Sequence, residues 1–272
     1  MRLAALACAL AIGGGFAQPA TAQDSSAAAV SGRFTAPQAA AFSKALEQDL
    51  AARGARVALV FRSGRPRKSM PPGLGYTHSA FWVYREISTS DGQRLKGYAV
   101  YNLYHGDGKR LPKTRSYLAQ DWPTDFMLGS IESDVAVIVP TPEMQRRLLA
   151  VIDSPTYAAL HVPSYSLIDN PFDRRHQNCN TFMLDVISAA AWETDSPDQI
   201  AVNLRTWFRP GTIKAGPLQR LFGPLVDARL ATDDQNGPIQ VASFETMSAF
   251  MADNRLSAAT YSFVRPEAAP GG

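Results

Sequence analysis

Apolar positions change their spacing several times along the chain, and each change marks an element. Phe42, Leu46 and Leu50 recur at i, i+4 and i+8 up to Gly54, behind a Thr35 and Gln38 pair that has the form of a capping box; they predict a first helix. Residues 56–61 form a short β-branched and apolar run, which predicts a strand. Residues 77–87 and 94–104, rich in aromatic and β-branched side chains, flank Thr89-Ser90-Asp91-Gly92 and predict an antiparallel hairpin. A further strand at 135–139 ends at Pro140. Thr141 then caps a helix with Pro142 at its first position, Glu143 in its first turn, and Met144, Leu148 and Ile152 along one face.

Beyond a proline-punctuated loop at 154–171, Phe182, Val186 and Ala190, joined by Met183 and Ile187, predict a helix over 179–192 that buries one side and begins at Asn178 or Cys179. Ser196-Pro197 opens a helix through Ile200, Leu204 and Phe208. A Pro/Gly-rich stretch to Gly237 precedes a strand at 239–244, a helix at 246–254 and a strand at 261–264. This order predicts an α+β fold in which an antiparallel sheet packs against the helix that carries a cysteine at its N-terminus. Residues 34–192 form the expected core domain, and 193–272 an extension of the same domain.

Arg2, an apolar run over 3–16 and the small-x-small triplet Ala20-Thr21-Ala22 have the form of a signal peptide over 1–22, cleaved before Gln23, with an Ala/Ser-rich flexible segment at 23–33. The apolar run falls short of the roughly 20 residues a membrane span needs, so the mature chain is expected to be periplasmic or secreted without a transmembrane segment. A lipoprotein acylated at Cys8 would have almost no apolar core ahead of the cysteine. The formal charge is +3 for the whole chain and +2 once Arg2 is removed (3 minus 1), too weak a bias to predict nucleic acid binding. Arg62, Arg65, Arg67 and Lys68 share one Gly/Pro-containing loop and read as a solvated connection.

Discounting the leader leaves one cysteine, Cys179. A lone thiol in an oxidising compartment invites oxidation unless it is buried or used. At a helix start the free N–H groups and the macrodipole favour thiolate, so a lowered pKa is expected, and the Cys179 amide becomes a natural oxyanion donor with Gln177 or Asn178 as a second. A base must come from His78, His105, His161 or His176. His78 opens the first hairpin strand and leads, with His105 and His176 as substitutes. Asn102, polar within an apolar strand, is the expected orienting group for the imidazole, with His105 its substitute if the register differs by one face. Tyr165, Trp82 and Trp122 are candidate pocket walls. No close His or Cys pair suggests a metal, and no phosphate loop or Gly-x-Ser-x-Gly elbow suggests a cofactor or a serine nucleophile.

His78-Ser79-Ala80-Phe81-Trp82-Val83, Tyr101-Asn102-Leu103-Tyr104 and Asn178-Cys179-Asn180-Thr181-Phe182 stand in an order that resembles the circularly permuted, papain-like NlpC superfamily, which includes the lecithin retinol acyltransferase-like enzymes. The resemblance implies a permuted papain-like architecture, with Cys179 as nucleophile, His78 as base and Asn102 as orienting group. The third residue is often His or an acid in that superfamily. Tyr76-Thr77-His78-Ser79-Ala80-Phe81-Trp82, Gln120-Asp121-Trp122-Pro123, Thr141-Pro142-Glu143 and the stretch from Asn170-Pro171-Phe172-Asp173 to Gln177-Asn178-Cys179 are more closely similar to a group of exported bacterial proteins, the domain of unknown function family 2145, which implies no known reaction. The expected activity is a thiol hydrolase or acyltransferase acting on an amide, ester or thioester carbonyl of a small-molecule, peptide or lipid substrate of the cell envelope. The rival is a non-catalytic envelope binding protein on the same fold.

Overall fold

A computed structural model describes residues 32–88, 92–214 and 227–266. The expected leader, Cys8, residues 89–91 of the expected hairpin turn and residues 215–226 of the Pro/Gly-rich stretch lie outside the described residues.

The first helix, α1 (Ala36–Ala52), starts with the capping box formed: the Thr35 hydroxyl accepts from the Gln38 amide, and the Gln38 side chain accepts from Thr35 N. β1 (Val57–Arg62), β2 (His78–Ser88), β3 (Arg94–His105), β4 (Ser116–Asp121), β5 (Asp134–Pro140) and β8 (Ser257–Val264) form an antiparallel sheet in the order β4-β3-β2-β1-β5-β8. α2 (Pro123–Leu128) follows β4, and α3 (Pro142–Ile152) and α4 (Pro155–Ala159) follow β5. The cysteine helix α5 (Cys179–Trp192), α6 (Pro197–Trp207), a two-stranded ribbon of β6 (Gly211–Ile213) and β7 (Ile239–Val241), and α7 (Phe244–Asp253) lead to β8. The chain is thus a mixed α+β protein with a large antiparallel sheet.

Side chains alternate across a strand, so the sheet feeds two cores. Val57, Leu59, Phe61, Phe81 and Val83 meet α3, α5, α6 and α7. Val60, Ala80, Trp82 and Val100 meet Phe42, Leu46 and Leu50 of α1 and Phe126 of α2. α5 is buried nearly all round rather than on one side, because α3 and α6 pack against it together with the sheet. Such a helix holds its first turn rigidly, and truncating Phe182 to alanine is expected to cost about 3–5 kcal/mol.

β4, α2, α4 and the place of Arg62 are among the parts of the layout that differ from the sequence expectation. β4, α2 and α4 lie in stretches that carry no strong periodic signal. Arg62 is not in a solvated loop: it ends β1, paired in register with His78, and is 4% exposed. β8 joins β5 and α7 contributes Met247, Phe250 and Met251 to the core, so the region after Trp192 builds the same packed layers as the rest. Among the described residues no helix is long and apolar enough to cross a membrane.

Candidate active site

The N-terminus of α5 is held by a buried carboxylate. Asn178 caps the helix, its Oδ1 accepting from Asn180 N at 2.8 Å and Thr181 N at 3.2 Å. Asp169, fully buried, accepts from Asn178 N and from the Asn178 amide and Thr181 hydroxyl, so the cap itself is anchored. Burial pushes the Asp169 carboxyl up to about 8, against the hydrogen bond from Thr181. Phe182 N bonds Asn178 O in the ordinary helical way. The remaining first-turn amide, that of Cys179, has no protein acceptor among the described residues.

The Cys179 thiol is 4% exposed and points at the Thr77 carbonyl, 4.0 Å from Sγ. Its pKa is raised rather than lowered, which corrects the expectation drawn from the helix start: burial outweighs the Ser79 amide and hydroxyl and the Arg62 charge, all of which favour thiolate. The Ser79 Oγ is buried and has no hydrogen-bond partner among the described residues.

His78 and Asn102 come together as expected from the hairpin. His78 Nε2 lies 3.0 Å from Asn102 Oδ1, while Asn102 Nδ2 donates to Asp121 Oδ2 at 3.0 Å. Because Asp121 takes the NH2 end of the amide, the oxygen must face the ring, and Nε2 must carry its proton. Nδ1 is then the basic nitrogen, with no protein partner among the described residues. Tyr104 stacks on the imidazole with centroids 5.1 Å apart and donates its hydroxyl to Asp121 at 2.6 Å, bracing the ring and the orienting chain together. Burial and the neighbouring Arg62 charge hold the His78 pKa well below its ordinary value, so the ring is neutral.

His78 and Cys179 are not hydrogen-bonded to each other; they line adjoining cavities. A cavity of about 150 Å³ is walled by His78, His105, Arg62 and Arg229 among others. One of about 240 Å³ contains Cys179 and Asn180 with apolar walls that include Met70, Leu74 and Ile213. Arg65, Thr77, Tyr165 and Leu167 belong to both, so the two cavities share a wall.

The other expected residues divide. Tyr165 lines both cavities. Gln177 is not available as an oxyanion donor: its amide nitrogen donates to Leu160 O and Asp185 Oδ2, and its oxygen accepts from Val162 N. Trp82 does not wall the cavities: it lies four residues further along β2 on the same face as His78, where it is fully buried against Phe126. Trp122, 37% exposed ahead of α2, lies outside both cavities. His105 lines the smaller cavity, with Nδ1 at Gly106 O and Nε2 against Arg229. His176 is tied off between Ser164 and Asp233. Among the described residues no group of three potential metal ligands gathers. Asp121, Tyr104, Arg62 and Ser79 were not singled out from the sequence as site residues, although Ser79, Tyr104 and Asp121 lie within the stretches that carry the family resemblance.

Residues 49–251 match a family model described as an uncharacterized protein conserved in bacteria, domain of unknown function 2145. The chain belongs to this family. No curated protein matches it, and no solved structure does.

Proposed function

We propose that this protein is an exported thiol hydrolase or acyltransferase built on a permuted papain-like, NlpC-like architecture. Cys179 attacks an amide, ester or thioester carbonyl of a cell-envelope substrate, with hydrolysis of a peptide-type amide as the leading reaction. The observation that carries this reading is the Asp121-Asn102-His78 chain. It gives His78 one fixed tautomer with Nδ1 free, and it ends one residue from the Thr77 carbonyl that Cys179 touches.

Because thiol and imidazole are both neutral at rest, the nucleophile is made during attack. The Sγ–H proton passes to His78 Nδ1 as the Sγ–C bond forms, and the carbonyl oxygen takes its charge against the Cys179 amide. The Tyr165 phenol, which has no protein hydrogen-bond partner among the described residues, takes the second donor role in place of Gln177. Collapse breaks the bond to the leaving group, which receives the proton from His78. A water or an acceptor nucleophile, deprotonated by the same nitrogen, then cleaves the thioester and restores the thiol. The separation of thiol and imidazole without substrate fits sites whose hydrogen bonds tighten only when substrate binds.

The buried thiol with its raised pKa favours a second reading, a binding protein that keeps the fold and an inert cysteine. Iodoacetamide modification of Cys179 at pH 7 separates the two. The hydrolase reading expects His78→Ala to slow it by about tenfold or more, as loss of a positioned base does. A slow reaction unchanged by the substitution supports the binding protein.

A further inference from the structure

We propose that the smaller cavity beside His78 is an anion subsite that holds a carboxylate of the ligand, while the larger cavity holds an apolar group. Three arginines from separate segments line the smaller cavity: Arg62 at the end of β1, Arg65 in the loop after it, and Arg229. Among the described residues only Arg229 of the three has a carboxylate partner, Asp227, whose oxygens it grips at 2.6–3.2 Å while its other nitrogen meets His105. Arg65 is exposed and makes no ion pair among the described residues.

Arg62 is the decisive residue. Its guanidinium donates to the Gly129 carbonyl and lies 5.2 Å from the centre of the Phe126 ring, yet among the described residues no carboxylate is within ion-pair distance and its Nε has no hydrogen-bond partner. A Cβ at Gly129 would overlap the guanidinium, which would have to shift. A guanidinium withdrawn from water without a paired anion carries a desolvation cost that a bound carboxylate offsets. Asp121, the buried anion of the neighbouring network, lies beyond ion-pair distance and offsets the Arg62 charge only in part while it accepts from Asn102 and Tyr104. His78 and His105 add no positive charge at neutral pH, as burial lowers both. The cavity therefore keeps a net positive lining, and a bound carboxylate would also offset the Arg62 field that weakens His78 as a base.

Across the shared wall, Met70, Leu74, Leu167, Ile213, Leu230 and Val241 make the larger cavity mainly apolar. The ligand class that spans both is an acyl amino acid or short peptide with an apolar acyl group on one side of a carbonyl and a carboxylate on the other. The position of that carbonyl at Cys179 rests on the hydrolase reading; the two subsites do not.

The test is calorimetric binding of N-hexanoylglycine and its neutral counterpart, N-hexanoylglycinamide, to the full mature chain carrying Cys179→Ala and to the unsubstituted protein. The acid should bind about tenfold tighter than the amide, with the preference shrinking as salt rises. Arg65→Gln, on the exposed loop, should cut the preference by about threefold, and Arg65→Gln with Arg229→Gln should abolish it. Equal affinities, a preference indifferent to both substitutions, or no binding by the folded protein would overturn the proposal. A persistent preference in a protein whose cysteine is never acylated leaves the subsite standing and removes the hydrolase reading. Acylation without any carboxylate preference does the reverse.

Discussion

Replacing Asn102 with alanine cuts the orienting chain at its middle. Asn102 is 1% exposed and Asp121 8%, so neither His78 Nε2–H nor the vacated acceptor position on Asp121 gains free access to water. Two hydrogen bonds of 3.0 Å disappear, one to an imidazole and one to a carboxylate. Leaving buried groups unsatisfied costs about 1–3 kcal/mol each, and Tyr104 still serves Asp121, so the loss should total about 2–4 kcal/mol. For a protein of this size that is a fall of about 5–15 °C in Tm, measured by calorimetry beside urea unfolding. The freed ring can turn, or move its proton to Nδ1, and acylation of Cys179 by an activated ester should slow by about 10- to 100-fold. Ser43→Ala is the control: it removes a 3.2 Å hydrogen bond to Thr124 far along α1, and should cost about 1 kcal/mol with no change in rate. If Asn102→Ala matched Ser43→Ala in rate, or lost less than about 0.5 kcal/mol, the orienting role assigned to Asn102 would be wrong.

Further outcomes follow from the same geometry. The His78 pKa is depressed in the folded state, so the unfolded chain binds its proton first; the stability this group contributes is complete above pH 6.5 and declines as pH falls toward the folded value. His78→Ala should therefore flatten the fall of unfolding free energy below pH 6.5 by up to about 1.4 kcal/mol per pH unit, and an unchanged slope in urea titrations would show that the ring is not buried neutral. Tyr165→Phe should lower the acylation rate by about 10²-fold, as loss of an oxyanion donor does, with little change in Tm; Trp122→Ala, outside both cavities, should leave the rate within about twofold. Gly129→Ala drives a Cβ into the Arg62 guanidinium and should destabilise the chain by about 1–3 kcal/mol, whereas a neutral effect on Tm would mean that Arg62 is free to move.

The helices with clear periods were legible: Phe42, Leu46 and Leu50 mark α1, and Met144, Leu148 and Ile152 mark α3. β4 was not, because Ser-Tyr-Leu-Ala-Gln-Asp has neither β-branched residues nor strict alternation and becomes a strand through its pairing with β3. α2 and α4 are 6 and 5 residues long, too short for a period to show. Arg62 read as the start of a loop because one charge at the end of an apolar run gives no sign of the cavity that Gly129 opens for it. At the site, Asn102 stood out as an amide inside an aromatic strand, and its place beside His78 follows from hairpin register. The direction of the Cys179 pKa was not legible: the helix start is local, but the burial that overrides it comes from segments distant in sequence. Gln177 misled for a similar reason, since adjacency to Cys179 says nothing of where its side chain points, and Asp185 with Leu160 claims it.

The most direct test of a nucleophilic Cys179 is mass spectrometry of the mature protein after brief exposure to p-nitrophenyl hexanoate near neutral pH. The account predicts one hexanoyl group per chain, mapped to Cys179, formed at least about tenfold more slowly in His78→Ala and absent in Cys179→Ala. A folded protein that carries no adduct on Cys179, or forms it equally fast without His78, would contradict it.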